Sequence, residues 1–143
     1  MRYNIEMNEK DCIFCKIISG DIPSEKIYED YWSLAFLDIN PVNHGHTLVI
    51  PKDHFENIYT TPDETLARLL LATKKVTLAI KEALDAEGIT ISMNNEPAGG
   101  QVIFHTHFHV VPRFENDGLK LWPQKKYNEG EMKDISEKIK NSF

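Results

Sequence analysis

The sequence predicts an α+β fold: several antiparallel strands with one long helix. Three observations carry this expectation. Strand-like runs come first, a single long helical pattern follows, and two more strand-like runs close the core. The last two runs are joined by a short Gly-rich link, which sets them antiparallel. Strands and helices do not alternate in the manner of a parallel sheet built from βαβ units.

Each element has a local reason. Residues 1–11 read as a loose leader. In "CIFCKIISG" the apolar positions Ile13, Phe14, Ile17 and Ile18 suit one short helical turn that stops at Gly20. Turn residues in "DIPSEK" lead to a short strand near Lys26–Glu29. "WSLAFLDI" is the second strand, "NPVNHG" a turn cluster, and "HTLVIP" the third strand, stopped by Pro51. The stretch 61–88 is the clearest helix. Thr61 is placed to cap it, Pro62 suits its first position, and Glu64 completes a capping box. Leu66, Leu69, Leu70, Thr73, Val76, Thr77, Ile80 and Leu84 keep helical spacing and form one mostly apolar face, and Gly88 fits the stop. "ITISMN" is the fourth strand, "NEPAGG" a turn, and "VIFHTHFHVVP" the fifth strand. "EGEMKDISEKIK" suits a short polar helix near the C-terminus. The expectation is a single domain, 1–143, with its core at 12–115 and a C-terminal tail at 116–143.

The 143 residues carry a net charge of −6 with histidines neutral. That argues against a nucleic-acid partner held by a basic patch. It leaves room for a small phosphorylated ligand held by backbone N–H groups and neutral donors. Apolar stretches are far shorter than a membrane span, and "MRYNIEMNEKD" lacks the hydrophobic segment of a signal peptide. A cytoplasmic protein with neither a membrane nor a nucleic-acid partner is expected.

The chemistry points to "HTHFHVVPR", which holds three of the six histidines at every second position. On a strand, His105, His107 and His109 share one face with Ile103 and Val111, spaced by about 7 Å per two residues. Phe104, Thr106, Phe108 and Val110 face the core. Such a row reads as incidental surface histidines, as a three-histidine metal site, or as nucleophilic and acid–base chemistry on phosphorus. Three ligands in line rarely converge on one ion. An imidazole whose second nitrogen is held as a donor attacks phosphorus well, and neighbouring imidazoles stabilise charge and protonate a leaving group. "MNNEPAGGQ", just upstream, favours this third reading. Gly99 and Gly100 let backbone N–H groups approach an oxyanion, and Asn94 and Gln101 supply neutral donors. A plain hairpin turn would use the same residues. His44 and His46 also suit a solvent-facing turn, but a histidine at a strand start is a usual catalytic position.

Four blocks in order, "CIFCKIISGDIPSEKIYED", "LAFLDINPVNHGHTLVIPKDH", "MNNEPAGGQ" and "HTHFHVVPR", resemble the histidine triad (HIT) family in its Hint-like branch. They run from Cys12 to Arg113. The resemblance implies a five-stranded antiparallel sheet with one long and one short helix, and a nucleotide hydrolase or transferase acting on the α-phosphate of a nucleotidyl substrate, usually a homodimer and usually purine-binding. Carried over by position, His107 is the nucleophile and forms a transient nucleotidyl-histidine. His109 contacts phosphate and leaving group, and His46 joins the same hydrogen-bonded set. Asn94 and Gln101, with Gly100 and Val102 in the 99–102 turn, match the phosphate site. Asp38 matches the carboxylate that holds the ribose hydroxyls. Ile13, Phe14, Ile17, Phe36 and Ile39 match the base pocket, although core packing explains those five equally well. Eukaryotic Hint relatives often carry a serine where this chain has Val102, a departure at the leaving-group contact.

Cys12 and Cys15 are the only cysteines. A CxxC pair in a cytosolic chain reads as a redox pair, as small apolar residues on a helical turn, or as half of a metal site. Zinc needs two more ligands, and His54 and His105 are the candidates. The resemblance strengthens this, because some bacterial and archaeal HIT relatives hold a structural zinc with two such cysteines and two such histidines. The expected activity is phosphoramidate or dinucleoside polyphosphate hydrolysis (diadenosine tetraphosphate, for example), releasing a nucleoside monophosphate. A nucleotide-binding regulatory or scaffold protein with little catalysis is the alternative. A hydrolase that uses the histidines as zinc ligands is the third reading.

Overall fold

In the computed structural model, which describes residues 9–143, the elements run α1 (Ile13–Ser19), β1 (Lys26–Glu29), β2 (Ser33–Leu37), β3 (Thr47–Pro51), α2 (Asp63–Ala83), β4 (Gly88–Ser92), β5 (Phe108–Arg113) and α3 (Glu131–Lys140). Single-turn 3-10 segments lie at Glu9–Asp11 and Pro97–Gly99. Among the described residues the five strands form one sheet in the order β1-β2-β3-β5-β4, with every neighbouring pair antiparallel. The leader expected over 1–11 falls mostly on residues 1–8, outside the described residues.

The alternation of β2 and β3 explains the layering. Side chains at successive strand positions point to opposite faces. Leu34, Phe36, Leu48 and Ile50 therefore pack with Cys12, Phe14 and Ile17 beneath α1. Ala35, Val49 and Val110 pack with Leu69, Ala72, Val76 and Ile80 of α2 on the other face. Burial on both faces is why these strands read as continuous apolar runs. Each large side chain so buried contributes about 1.5–3 kcal/mol. Phe108 joins the α2 face, leaving His109 on the α1 face beside Leu48, its register partner.

Several elements depart from the expectation, each for a visible reason. Thr61 does not cap α2: its hydroxyl donates to the Asn57 carbonyl at 2.7 Å and lies 2.7 Å from the Thr106 hydroxyl, and Pro62 stands at the cap position. Glu64 turns to Arg68 instead of closing a capping box. The helix ends at Ala83, with Leu84 as its cap and Asp85 at φ 49°, so Gly88 begins β4 rather than stopping the helix. Leu70 and Leu84 are exposed, which narrows the apolar face. The second strand excludes Trp32, whose ring lies under the Arg68 guanidinium at 3.8 Å.

The fifth strand begins only at Phe108, because β3 offers pairing partners no further than Val49. Ahead of it the chain bonds to the 51–57 segment instead, with the Thr106 N–H donating to the Phe55 carbonyl at 2.7 Å. The link from β4 to β5 is accordingly the long segment 93–107, not a short turn. The helical turn at Cys12 extends to seven residues, and the C-terminal helix adds a third α-helix with no buried residue. Trp122 is 85% exposed, which rules out core packing within the chain. No helix among the described residues is long and apolar enough to cross a membrane.

The loop between β2 and β3 is held close to the end of α2. Gly45 has φ 95°, and a Cβ there would lie 2.3 Å from Leu84 Cδ1 and 3.3 Å from the Pro112 ring. Gly45→Ala therefore combines a left-handed backbone with a steric clash and should destabilise the fold by about 1–3 kcal/mol. Urea denaturation checks this, and an unchanged midpoint would contradict the packing described.

Candidate active site

His107 is buried, and its surroundings determine which nitrogen carries the proton. Its Nδ1 lies 2.6 Å from the His105 carbonyl. A carbonyl only accepts, so Nδ1–H donates and Nε2 is left with its lone pair. Phe14 packs edge-on against the ring at 5.3 Å and holds its plane.

The neighbouring pair is fixed by the same logic, and the chain of donors runs the other way. The Val42 N–H donates to His46 Nδ1 at 3.2 Å. His46 Nε2 must then carry the proton, and it donates to His109 Nδ1 at 2.9 Å. That leaves the proton of His109 on Nε2. The His107 and His109 rings sit 4.8 Å apart. One imidazole thus presents a bare nitrogen and its neighbour an N–H, a pairing suited to attack on an electrophile whose charge the N–H steadies.

Both rings open onto a cavity of about 460 Å³ on the α1 face of the sheet, within the size range of small-molecule sites. Its apolar wall is made by Ile13, Phe14, Ile17 and Phe36, with Ile39 and Val102 at the rim. Ile39 is 88% exposed and Val102 80% exposed. Phe14, Ile17 and Phe36 also belong to the core, so packing and pocket-lining are the same act for those three. Asp38 stands on the wall, with Oδ1 accepting the Asn40 N–H at 2.8 Å and Oδ2 3.7 Å from His46 Nδ1. Asn94 and Gly100 complete the opposite side. Asn94 Nδ2 donates to the Gly100 carbonyl at 3.3 Å, and Gly100 has φ 87° with Asn94 Nδ2 only 3.4 Å from where a Cβ would be.

Gln101 is turned away from this cavity, contrary to its expected role as a phosphate donor. It is buried, and Nε2 donates to the Glu56 carbonyl at 2.5 Å and the Ile103 carbonyl at 3.1 Å. Oε1 accepts the Glu96 N–H at 2.8 Å. Both amide hydrogens are spent on main-chain carbonyls, so the residue shapes the 96–103 loop and leaves ligand contact to its neighbours.

His105 takes part in a second cluster. Its Nε2 lies 2.9 Å from the Pro51 carbonyl, so Nε2–H donates and Nδ1 is bare. Nδ1 faces Cys12 Sγ at 3.4 Å, Cys15 Sγ at 3.6 Å and His54 Nδ1 at 3.2 Å. Cys15 Sγ lies 3.4 Å from His54 Nδ1. A tetrahedral zinc with ordinary bond lengths needs S···N edges of about 3.5 Å and an N···N edge of about 3.3 Å. The four edges just given have that spacing, and all four donor atoms lie within 4.8 Å of one another. Burial, together with the adjacent Cys12, pushes the Cys15 thiol up to about 12, and burial pushes His105 down to about 4. A divalent cation would reverse the thiol's preference by binding its anion. The alternation that put three histidines on one face therefore conceals a division. His105 serves the cysteine cluster, and His107 and His109 serve the cavity.

Sequence reasoning did not single out Val42, Asn43, Pro51 or Asp117. The first and third act through main-chain atoms, for which side-chain identity carries no signal. Asn43 and Asp117 were visible only as residues of a turn and of the tail.

Comparison with known proteins accords with this geometry. Residues 19–116 match the family model described as HIT domain. The chain is 42% identical over 134 residues to an adenosine 5'-monophosphoramidase of Schizosaccharomyces pombe, covering 92% of this chain and 98% of the relative. A crystal structure of a HIT family member from Bacillus subtilis superposes with a TM-score of 0.86 at 42% identity, covering 93% of this chain and 97% of that one. A zinc-bound histidine triad protein from Mycobacterium smegmatis superposes with a TM-score of 0.76 at 37% identity, covering 95% of this chain and all of that one.

Burial is the main cause that lowers the three site imidazoles. It pushes His109 down to about 4, with His107 and His46 adding to the effect and Asp38 opposing it. His107 is lowered by burial against the pull of its bond to the His105 carbonyl, and His46 by burial against Asp38. Unfolded, His109 binds its proton near 6.5; folded, it does so only near 4. Between those values the unfolded state holds more protons, so the folded state loses stability as pH falls from 6.5 towards 4. An NMR titration should give His109 a midpoint well below 6.5, with the unfolding free energy declining over the same interval. A His109 midpoint at the ordinary imidazole value would contradict the assigned burial and tautomer.

Proposed function

The chain belongs to the HIT family, and from that premise we propose that it hydrolyses nucleotidyl substrates at the α-phosphate, releasing a nucleoside monophosphate. The observation that carries this reading is the opposed pair of tautomers, a bare His107 Nε2 beside a protonated His109 Nε2. The relative in Schizosaccharomyces pombe named as an adenosine 5'-monophosphoramidase supports the reaction class and the choice of a purine nucleotide.

In the proposed reaction the base lies among Ile13, Phe14, Ile17, Phe36 and Ile39, and Asp38 accepts from the ribose hydroxyls. Asn94 and the backbone at Gly100 and Val102 face the phosphate. His107 Nε2 attacks phosphorus, forming a P–N bond as the bond to the leaving group breaks. His109 Nε2–H hydrogen-bonds that leaving group and stabilises its developing charge, and solvent supplies the proton it carries away. Water then attacks the nucleotidyl-histidine, its proton passes to solvent, and His107 leaves with its lone pair restored. His46 keeps His109 in the required tautomer throughout. The substrate class spans nucleoside phosphoramidates and dinucleoside polyphosphates, which differ in the leaving group that faces His109.

We assign a structural zinc to Cys12, Cys15, His54 and His105 on the strength of their spacing, and the zinc-bound neighbour supports it. The ion's contribution is a cross-link between the turn that carries Phe14 and the segment that carries His107. Thiols kept for a metal suit a reducing compartment, in keeping with a cytoplasmic protein. We also take residues 1–143 as one domain that pairs as a homodimer. Strand β4 is an edge of the sheet with Ile91 exposed, and α2 exposes Leu70, Leu71 and Leu78. Both are surfaces that a second copy would cover.

Incubation with adenosine 5'-phosphoramidate should release AMP, and His107→Ala should lower kcat by at least about a thousandfold. Equally slow release by both proteins would leave a nucleotide-binding module in place of an enzyme. A native mass spectrum of protein prepared without chelator should show two chains and two zinc ions. Metal-free protein with both thiols titratable would remove the zinc, and a single-chain mass would remove the dimer.

A further inference from the structure

We infer that Asn43 and Asp117 are positioning residues for the imidazole whose N–H faces the cavity, His109, acting by clamping the loop that delivers His46. The clamp has three parts. Asp117 is a hub: its carboxylate takes Arg113 Nε at 2.7 Å and Nη2 at 3.0 Å, and the N–H groups of Phe114 at 3.2 Å and Leu119 at 2.9 Å. Asn43 is the bridge. Its Nδ2 donates to Asp117 Oδ2 at 3.1 Å and to the Pro112 carbonyl at 2.9 Å. The third part is the loop itself. The His46 N–H donates to the Asn43 carbonyl at 2.9 Å, and the Val42 N–H holds His46 Nδ1 at 3.2 Å.

The reach of this arrangement comes from what His46 does next. Its tautomer is decided by the Val42 N–H, whose position depends on its neighbour Asn43, against Asp38 Oδ2 at 3.7 Å, an acceptor that draws the proton towards Nδ1. If the Val42 contact is lost, either nitrogen of His46 can carry the proton. His46 can then no longer be relied on to donate to His109, and the proton of His109 is free to move to Nδ1, away from the cavity. A side-chain amide outside the pocket thus determines where an imidazole inside it keeps its proton. Asp117 keeps Asn43 in place and is itself braced by the bidentate Arg113 pair, the strongest kind of hydrogen-bonded ion pair. Neither side chain touches the cavity, so their part is positioning rather than contact with the reacting atoms.

The kinetic side of the test rests on the hydrolase reading; the spectroscopic side does not. Asn43→Ala should lower kcat by about ten- to a hundredfold with KM changed by less than about twofold, because the ribose and base contacts remain. Two-bond 1H–15N spectra should show His46 protonated only at Nε2 in the wild type and as a tautomer mixture in the variant. Asp117→Asn keeps the side-chain size and leaves Asn43 its bond to Pro112, so it should move both readouts in the same direction by less. It also serves if Asn43→Ala does not fold. His44→Ala, on the same loop but exposed, should move neither. Folded variants with the wild-type tautomer and unchanged kcat would overturn the inference, as would a loss of thermal stability alone. If the wild type releases no AMP, the reaction reading fails and the tautomer spectra still decide the clamp.

Discussion

The two bonds made by His105 are the constraint on which the rest of the structure depends. Its ring donates to the Pro51 carbonyl and turns a bare nitrogen towards two cysteines and His54. Its own carbonyl accepts from His107 and bares the nitrogen that faces the cavity. A single residue thereby sets the protonation state of two sites at once. The second bond depends on the segment before Phe108 not being a regular strand, which leaves the carbonyl of His105 outside the sheet ladder. The irregularity there is what frees main-chain groups to fix imidazoles.

The sheet separates support from chemistry by its two faces. On one, α2 seals Ala35, Val49, Phe108 and Val110 into a plain apolar layer. On the other, α1 leaves its layer incomplete, and the gap is the cavity. Phe14 belongs to both the layer and the gap. It touches Phe36, His105 and His107 edge-on, with ring centroids 5.3–5.8 Å apart, and it lies between the two cysteines in sequence. Any movement of the cysteine-bearing turn is therefore felt at the wall of the pocket and at His107 together.

Much of this was legible from residue patterns, and the exceptions have physical causes. The β1 strand, the 13–19 helix and the 131–140 helix lie where spacing and turn residues put them. The apolar stripe of α2 was legible too, but not its start, because Thr61 found better partners in Asn57 and Thr106 than in its own helix. The beginning of β5 depends on where β3 stops offering partners, a property of a segment more than fifty residues away. Gln101 shows the same limit for a site residue. Its composition suits a phosphate donor, and only the nearness of the Glu56 and Ile103 carbonyls turns it inward. The four metal-ligand candidates came from resemblance more than from spacing, since nothing local joins Cys12 and Cys15 to His54 and His105. Asn43 was visible only as a turn residue, because its role lies in a bridge to a residue of the tail.

The cavity has a consequence for how it meets an anion. Among the residues that line it, Asp38, His107 and His109 are the titratable ones, and burial keeps the two imidazoles from gaining charge near neutrality. Among the described residues, none of those lining this space is a lysine or arginine. In the proposed reaction the charge of a phosphate would be met by dipoles: amide hydrogens of the 94–102 loop and one imidazole N–H. Binding of that kind releases few counterions, so affinity should vary little with ionic strength where a lysine-lined pocket would weaken steeply. It also ties recognition to the orientation of each donor, which charge alone would not demand.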